Sequence, residues 1–170
     1  MDLILWRHAQ AVELPLDEAT QAQLAAGTDV TVHIDPKQDL ARTLTQKGER
    51  QAERMAQWLN QRLPESTKVL VSPAQRTQQT AKALERTFKT VPSLNPQASV
   101  DDLLKVARWP NARDPVLIVG HQPTLGMLAA RLLTGQDLAW SIRKGAVWWL
   151  RSRERDGQVT LHAVQSPDFL

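Results

Sequence analysis

The stretch Leu3-Ile4-Leu5-Trp6-Arg7-His8-Ala9 decides how the rest of the sequence is interpreted. Its four consecutive apolar residues are typical of a strand buried on both faces, and the polar residues that follow lie at the carboxyl end of that strand. Ligands bind at this edge in open α/β sheets. Arg7 and His8 therefore either hold and attack an anion there or only mark the exit of the strand to solvent.

Two further apolar runs end in polar residues in the same way. Lys68-Val69-Leu70-Val71 stops at Ser72-Pro73, and Val116-Leu117-Ile118-Val119 stops at Gly120-His121-Gln122-Pro123. Both runs have the length and composition of buried strands. Residues 146–150 and 159–164 predict two more strands, because the turn signal Asp156-Gly157 lies between them.

Segments with helical periodicity follow each of the three buried runs along the chain. One helix is predicted to begin after an N-cap at Thr45 and to end at Pro64, and another to be capped by Thr124 and closed by Gly135. Between them, a helix directly after Ser72-Pro73 has one face made of Thr77, Ala81, Leu84 and Phe88. This order predicts an α/β fold: a three-layer α/β/α sandwich with a mainly parallel central sheet and a C-terminal hairpin.

Length and composition fit one domain that covers residues 1–170. Hydrophobic residues make up 42% of the chain and charged residues 23%, as in an ordinary globular protein. The net charge of +3 is small and its basic residues are scattered, so no nucleic-acid partner is predicted. The absence of cysteine excludes disulfides and a cysteine nucleophile. With no secretory signal and no apolar run of membrane-spanning length, we expect a cytoplasmic protein without a membrane partner.

Residues 10–42 form a long, polar and irregular segment, with a short helix predicted over residues 17–26. A connection of this length is usually a functional flap or an insertion. Because it starts at the edge that carries His8, the segment either covers that edge and restricts substrates or is an insertion that the surface tolerates. Arg42, at its end, is interpreted as a surface residue, and neither His33 nor His162 is given a role.

The three strand ends are expected to meet, because the carboxyl ends of parallel strands lie along one edge of a sheet. They bring two arginines (Arg7 and Arg76) and two histidines (His8 and His121) to that edge. The second and third ends also run into helix N-termini, which favour an anion. This electropositive pocket contains no carboxylate suited to holding a metal. Histidine is then the evident nucleophile, and forked arginine donors suit the oxygens of a phosphoryl group.

The residues at these ends resemble those of the histidine phosphatase (phosphoglycerate mutase-like) superfamily, and most closely its SixA-like branch of phosphohistidine phosphatases. The matching motifs are Arg7-His8-Ala9, Leu44-Thr45-x-x-Gly48, Ser72-Pro73-x-x-Arg76-Thr77-x-Gln79-Thr80-Ala81 and Gly120-His121. The resemblance implies that His8 is phosphorylated in turnover and that no metal or other cofactor is needed. It also implies that Arg7, Arg76 and His121 complete the phosphate pocket.

Two features depart from the commoner pattern of the superfamily. Ala9 stands where that pattern has glycine, and no glutamate or aspartate is an evident proton donor to the leaving group. Asp101 and Asp102 lie in the corresponding part of the chain, but Asp102 fits a capping box with Ser99, at the start of a short helix, better than a catalytic role. A protonated imidazole or an acyl phosphate leaves without such an acid, whereas a sugar alkoxide does not.

The leading hypothesis is a metal-independent phosphohydrolase that acts through a phosphohistidine intermediate on His8, with phosphohistidine on a partner protein as the favoured substrate. One alternative is a phosphatase for a small phosphomonoester, with Asp101 or Asp102 as its acid. Another is a phosphate-binding module that does not turn over. Ser72, through its hydroxyl, and Gln122, through its backbone N–H, are further candidates for binding the substrate.

Overall fold

The computed structural model describes residues 1–14, 18–27 and 35–170. At the centre of this part of the chain is a six-stranded sheet of β1 (Asp2–Arg7), β2 (Lys68–Val71), β3 (Lys89–Thr90), β4 (Val116–Gly120), β5 (Val147–Ser152) and β6 (Val159–Gln165). The spatial order is β3-β2-β4-β1-β5-β6. Neighbours among β1 to β4 pair in parallel, whereas β5 is antiparallel to β1 and β6 is antiparallel to β5. The predicted mainly parallel sheet with a C-terminal hairpin is confirmed.

Helices cover both faces of the sheet. They are α1 (Glu18–Ala25), α2 (Pro36–Ala41), α3 (Gln46–Asn60), α4 (Gln75–Lys82), α5 (Val100–Ala107) and α6 (Thr124–Thr134). One face of the sheet, which includes Ile4 and Trp6, packs against α3 and α4, and the other, which includes Leu3 and Leu5, packs against α5 and α6. Since neighbouring residues of a strand point to opposite faces, β1 has to be apolar at every one of these positions.

The register of the sheet brings the three polar strand ends to the same level. Arg7 of β1 lies opposite Gly120 of β4, and Val71 of β2 lies opposite Val119 of β4. Helices α4 and α6 then begin within four residues of the ends of β2 and β4. The residues that follow β1, β2 and β4 therefore share one edge, as the sequence predicts.

Some predicted local features are wrong. Thr124 does not cap α6: the N-cap is Pro123, and the Thr124 hydroxyl instead donates to the carbonyl oxygen of Ala98 at 2.8 Å. Helix α4 ends at Lys82, so Phe88 lies beyond it. Glu85 adopts a φ of 54°, which a right-handed helix cannot contain.

The segment 10–42 is described only in part. The helix predicted over residues 17–26 is observed as α1, whereas residues 15–17 and 28–34, which include His33, lie outside the described residues. Helix α2 and the short strand β3 were not predicted. Among the helices of the described part, none is both long and apolar enough to cross a membrane.

Candidate active site

A cavity of about 320 Å³ opens at the carboxyl edge of the parallel strands, and we call it the carboxyl-edge pocket. It is lined by Arg7, His8, Pro36, Asp39, Arg42, Arg76, Pro96, Gln97, His121, Gln122 and Lys144. The fold thus brings together the two arginines and two histidines that the sequence predicts at one site. The rings of His8 and His121 lie 5.4 Å apart, measured between their centroids.

Two backbone hydrogen bonds, one to each neighbouring segment, fix the position of His8 at the end of β1. Its N–H donates to the carbonyl oxygen of Gly120 at 3.1 Å, and its own carbonyl oxygen accepts from the N–H of Gly145 at 3.0 Å. The imidazole is 6% exposed, and its Nδ1 lies 2.7 Å from the carbonyl oxygen of Ala9. Since a carbonyl oxygen only accepts, Nδ1 carries the proton and Nε2 keeps its lone pair.

The surroundings of His8 keep the ring neutral. Burial lowers the pKa of His8 from 6.5 to about 3, and the nearby guanidinium groups of Arg76, Arg7 and Arg42 act in the same direction. The hydrogen bond to Ala9 opposes this shift only in part. At neutral pH the imidazole therefore has the unprotonated Nε2 that a nucleophile needs.

Hydrogen bonds behind His121 fix which of its ring nitrogens carries the proton. The hydroxyl oxygen of Ser72 accepts from the N–H of Ala74 at 3.3 Å and lies 2.7 Å from Nε2 of His121. Burial, together with the positive charge of Arg76, lowers the pKa of His121 to about 2, so the ring is neutral. Nε2 of His121 is the partner that the described residues give to the proton of the Ser72 hydroxyl, so we assign this hydroxyl as the donor to Nε2 and the ring proton to Nδ1. This Nδ1 is buried without a hydrogen-bond partner in the described part of the chain.

Ser72 and Gln122 differ in their relation to the carboxyl-edge pocket. Ser72 is fully buried and is not among the residues that line it, so its hydroxyl contacts His121 rather than the space a substrate can enter. Gln122 does line the pocket. Its side chain joins two segments, because Oε1 accepts from the N–H of Gly126 at 2.8 Å and Nε2 donates to the carbonyl oxygen of Trp140 at 2.9 Å.

Each of the two pocket arginines has a buried Nε without a hydrogen-bond partner among the described residues. Arg7 donates through Nη1 to the carbonyl oxygen of Ile142 at 2.8 Å. Arg76 donates through Nη1 and Nη2 to Asp39. Buried donors such as these two Nε–H groups are normally satisfied, and both belong to residues that line the carboxyl-edge pocket.

The segment after His8 is fastened to two helices. The N–H of Ala9 donates to the hydroxyl of Thr80 at 3.1 Å, and the N–H of Thr45 donates to the carbonyl oxygen of Gln10 at 3.0 Å. Gly48, in the first turn of α3, packs directly on the backbone of Gln10, where any Cβ atom would overlap the Gln10 carbonyl oxygen. This contact gives the physical reason for glycine in the Leu44-Thr45-x-x-Gly48 motif.

The structure adds residues to the pocket that the sequence analysis missed. Asp39 lies in it, and the sequence analysis had not placed this carboxylate there. Arg42, interpreted as a surface residue, lines the pocket as well, as does Lys144. The i, i+3 spacing of Asp39 and Arg42 was the one available signal, since it matches their ion pair of 3.2 Å.

The two candidate acids lie outside the pocket. Asp102 forms the predicted capping box with Ser99, because its carboxylate accepts from the Ser99 N–H at 2.9 Å while the Ser99 hydroxyl accepts from the Asp102 N–H at 3.1 Å. Asp101 is exposed and pairs with Arg131 at 2.5 Å. In the described part of the chain, no group of three or more His, Asp or Glu residues is arranged to hold a metal ion.

Comparisons with known proteins agree with this geometry. The family model for the histidine phosphatase superfamily (branch 1) matches residues 3–104. An uncharacterized protein from Picosynechococcus sp. (strain ATCC 27264 / PCC 7002 / PR-6) is 34% identical in an alignment of 126 residues, and the match covers 69% of this chain and 76% of that protein. The solved structure of the protein histidine phosphatase SixA complexed with tungstate is 26% identical, covers 99% of both chains and has a TM-score of 0.69. A SixA structure from Nakamurella multipartitia is also 26% identical, with 98% of this chain and 95% of that chain covered and a TM-score of 0.69.

Proposed function

The chain belongs to the histidine phosphatase superfamily, branch 1, and is a phosphatase; from this premise we propose that it is a metal-independent phosphohydrolase that forms a phosphohistidine intermediate on His8. The observation that carries the proposal is the hydrogen bond from Nδ1 of His8 to the carbonyl oxygen of Ala9. It leaves the lone pair of Nε2 free in a ring whose pKa is lowered to about 3. A neutral imidazole fixed in this tautomer is ready to attack phosphorus.

Three buried donors support binding of the phosphoryl oxygens. Nε of Arg7, Nε of Arg76 and Nδ1 of His121 have no partner among the described residues, and all three belong to residues that line the carboxyl-edge pocket. Phosphoryl transfer depends mostly on positioning and on neutralising the charge of the equatorial oxygens. Buried charged donors perform this task better than exposed ones, because water screens them less.

The reaction proceeds in two displacements. Nε2 of His8 attacks phosphorus, a P–N bond forms, and the bond from phosphorus to the leaving group breaks with its electron pair on the leaving group. Water then attacks the phosphorus of phospho-His8, the P–N bond breaks with its pair on Nε2, and inorganic phosphate departs while the water proton passes to the medium. In both steps Ser72 acts as a positioning residue, because it keeps the proton of His121 on Nδ1.

We assign phosphohistidine on a partner protein as the substrate class. The placement of Asp101 and Asp102 on the surface, each in a contact of its own, supports this choice, because neither is in the pocket to protonate an alkoxide. A protonated imidazole leaves without such help. The similarity to the protein histidine phosphatase SixA points in the same direction.

The intermediate is tested by quenching the protein with base during reaction with a radiolabelled phosphohistidine-bearing protein. We expect label on this enzyme, after its separation from the labelled substrate protein, that is stable to base and labile to acid. This label should be absent from the His8→Asn variant. Ligand binding without label would instead support a phosphate-binding module. The matched control is His162→Asn, an exposed histidine on β6, which should label like the wild type.

The substrate class is tested by comparing kcat/KM for two peptides that carry phosphohistidine or phosphoserine at the same position. We expect the phosphohistidine peptide to be hydrolysed at least about 100-fold faster, because no acid assists departure of the serine alkoxide. Asp101→Asn and Asp102→Asn should leave both rates unchanged. A large loss on phosphoserine alone in either variant would replace the proposal with a phosphomonoesterase in which that aspartate is the acid.

A further inference from the structure

Among the described residues that line the carboxyl-edge pocket, Asp39 is the one carboxylate, and it comes from the segment 10–42. Helix α2, which carries it, begins with an N-cap at Asp35, whose side chain accepts from the N–H of Lys37 at 3.0 Å, and with Pro36 in its first turn. These are strong helix-start signals. In this short helix the N–H of Asp39 donates to the carbonyl oxygen of Asp35 at 2.9 Å, and Asp39 is 9% exposed.

Asp39 binds the guanidinium group of Arg76 at two points. Its carbonyl oxygen accepts from Nη1 at 2.6 Å, and its carboxylate oxygen Oδ2 accepts from Nη2 at 3.1 Å. Arg76 itself is 4% exposed. Both terminal nitrogens of Arg76 are thus engaged by one residue, and Nε is the guanidinium nitrogen left without a partner among the residues described.

The other carboxylate oxygen of Asp39 is engaged as well. Oδ1 accepts from Nη1 of Arg42 at 3.2 Å, while Nε of Arg42 donates to the carbonyl oxygen of Val12 at 2.8 Å. Arg42 therefore ties α2 back to the chain that leaves His8. These contacts make Asp39 the centre of a network that joins the segment 10–42 to Arg76.

We propose that Asp39 is a positioning residue, which orients Arg76 so that the N–H donors it leaves unpaired, Nε–H among them, face the phosphoryl group. This inference rests on the proposed function and gives the segment 10–42 a task in it. A guanidinium on a flexible side chain has many orientations, and selecting one of them costs conformational entropy. If the orientation is fixed before the substrate binds, this entropy cost does not add to the free energy of the transition state.

The same contacts argue against two other roles for Asp39. A general acid needs a protonated oxygen that faces the leaving group, and here each oxygen accepts from an arginine. A ligand for the phosphoryl group is equally unsuited, since a carboxylate repels an anion. The negative charge of Asp39 should in fact weaken phosphate binding while it improves the geometry of Arg76.

Because Asp39 should improve the geometry of Arg76 but weaken phosphate binding, its substitution should change kcat and the Kd for phosphate differently. In Asp39→Asn we expect kcat to fall about 10- to 100-fold, as is typical for misplaced catalytic groups. The Kd for inorganic phosphate, measured by isothermal titration, should stay equal or become smaller, because a negative charge has been removed. The kcat loss should be the same for p-nitrophenyl phosphate and phosphoserine, which differ in leaving group.

The control is Asp137→Asn, which removes another arginine-paired carboxylate. Asp137 binds Arg131 at 2.6 Å on the surface, outside the pocket, so kcat and the Kd for phosphate should not change. A kcat in Asp39→Asn within 2-fold of wild type would overturn the proposal. So would weaker phosphate binding together with a lower Tm, which indicates a structural role, or a kcat loss confined to phosphoserine, which indicates an acid.

A further measurement separates failure of this proposal from failure of the proposed function. The Nε–H resonance of Arg76 is assigned by its disappearance in Arg76→Lys and is then followed in wild type and Asp39→Asn while orthovanadate is added. We expect a sharp resonance in wild type that shifts with vanadate and is broadened in Asp39→Asn. A shift and line width that are equal in both proteins overturn the role of Asp39, whether or not either protein turns substrate over.

Discussion

Two clusters of positive charge lie at opposite edges of the same sheet, and only one of them has the chemistry of a phosphate site. The first is the carboxyl-edge pocket. The second is a groove at the amino ends of β2, β3 and β4, which we call the amino-edge groove. It has a volume of about 870 Å³, and its basic residues are Lys68, Arg86, Lys89, Arg108 and Arg113. By size and by number of cations, this groove exceeds the carboxyl-edge pocket.

The difference between the two clusters is burial combined with unmet hydrogen bonding. In the amino-edge groove Lys68, Lys89, Arg108 and Arg113 are exposed, so water solvates and screens their charges. Arg86 is satisfied by the carbonyl oxygens of Leu63 and Pro64 and by the side chain of Asn60. In the described part of the chain, the buried side-chain donors without partners all belong to residues of the carboxyl-edge pocket. Charge count alone therefore does not identify the site.

The largest loss of activity is expected from removal of the nucleophile in the carboxyl-edge pocket. His8→Asn should lower kcat/KM for p-nitrophenyl phosphate by at least about 1,000-fold, because no other group in the carboxyl-edge pocket replaces Nε2. The measurement is steady-state release of p-nitrophenol. Residual activity above a few percent of wild type would mean that the reaction does not pass through His8.

The next largest effect separates a buried arginine from an exposed one. Arg76→Ala should cost about 100-fold or more in kcat, the range expected when a preorganised donor to a developing charge is lost. Arg113→Ala, in the amino-edge groove, should change kcat less than 2-fold. Equal losses in the two variants would show that general positive charge, rather than the position of Arg76, matters.

A smaller effect is expected from the residue behind His121. Ser72→Ala should lower kcat about 10-fold, because a buried ring nitrogen loses its partner and the tautomer of His121 is no longer fixed. Ser66→Ala, an exposed serine of the amino-edge groove, is the matched control and should behave as wild type. A Ser72→Ala enzyme with normal kcat would remove the positioning role.

The last prediction concerns stability at low pH rather than activity. The pKa values of His8 and His121 fall from 6.5 in the unfolded chain to about 3 and about 2 in the folded protein. Between pH 6.5 and 3 the unfolded chain binds protons that the folded protein does not, so the free energy of unfolding decreases as the pH is lowered. The Tm should fall from pH 7 to pH 4, and it should fall less in His8→Asn. Parallel curves for the two proteins would show that burial of His8 does not have this effect.

The sequence predicts five of the six strands of the described sheet, and the meeting of the two arginines and two histidines at one edge, because both depend on local signals. A run of apolar residues defines each parallel strand, and the first polar residues after it then have to lie at the carboxyl edge. The capping box of Ser99 and Asp102 is equally local, which is why it was predicted correctly. These features need no knowledge of how distant segments pack.

The features that were missed depend on tertiary contacts. Asp39 and Arg42 enter the pocket because α2 packs beside Arg76. Asp39 and Arg76 are 37 residues apart in the sequence. Thr124 matches the pattern of an N-cap, yet the carbonyl oxygen of Ala98, from another segment, takes its hydroxyl. Glu85, three residues beyond the end of α4, has a positive φ, and a glutamate in the sequence gives no signal for that backbone conformation.

The close packing of Gly48 on the backbone of Gln10 has a consequence for attempts to redesign this enzyme. Even alanine at position 48 would push apart α3 and the segment that begins with His8. In saturation mutagenesis, position 48 should therefore tolerate almost as little change as position 8, although it contacts no substrate. Libraries that aim to broaden the range of accepted phosphorylated compounds should leave this glycine fixed and vary Gln97 and Lys144, two exposed residues that line the carboxyl-edge pocket.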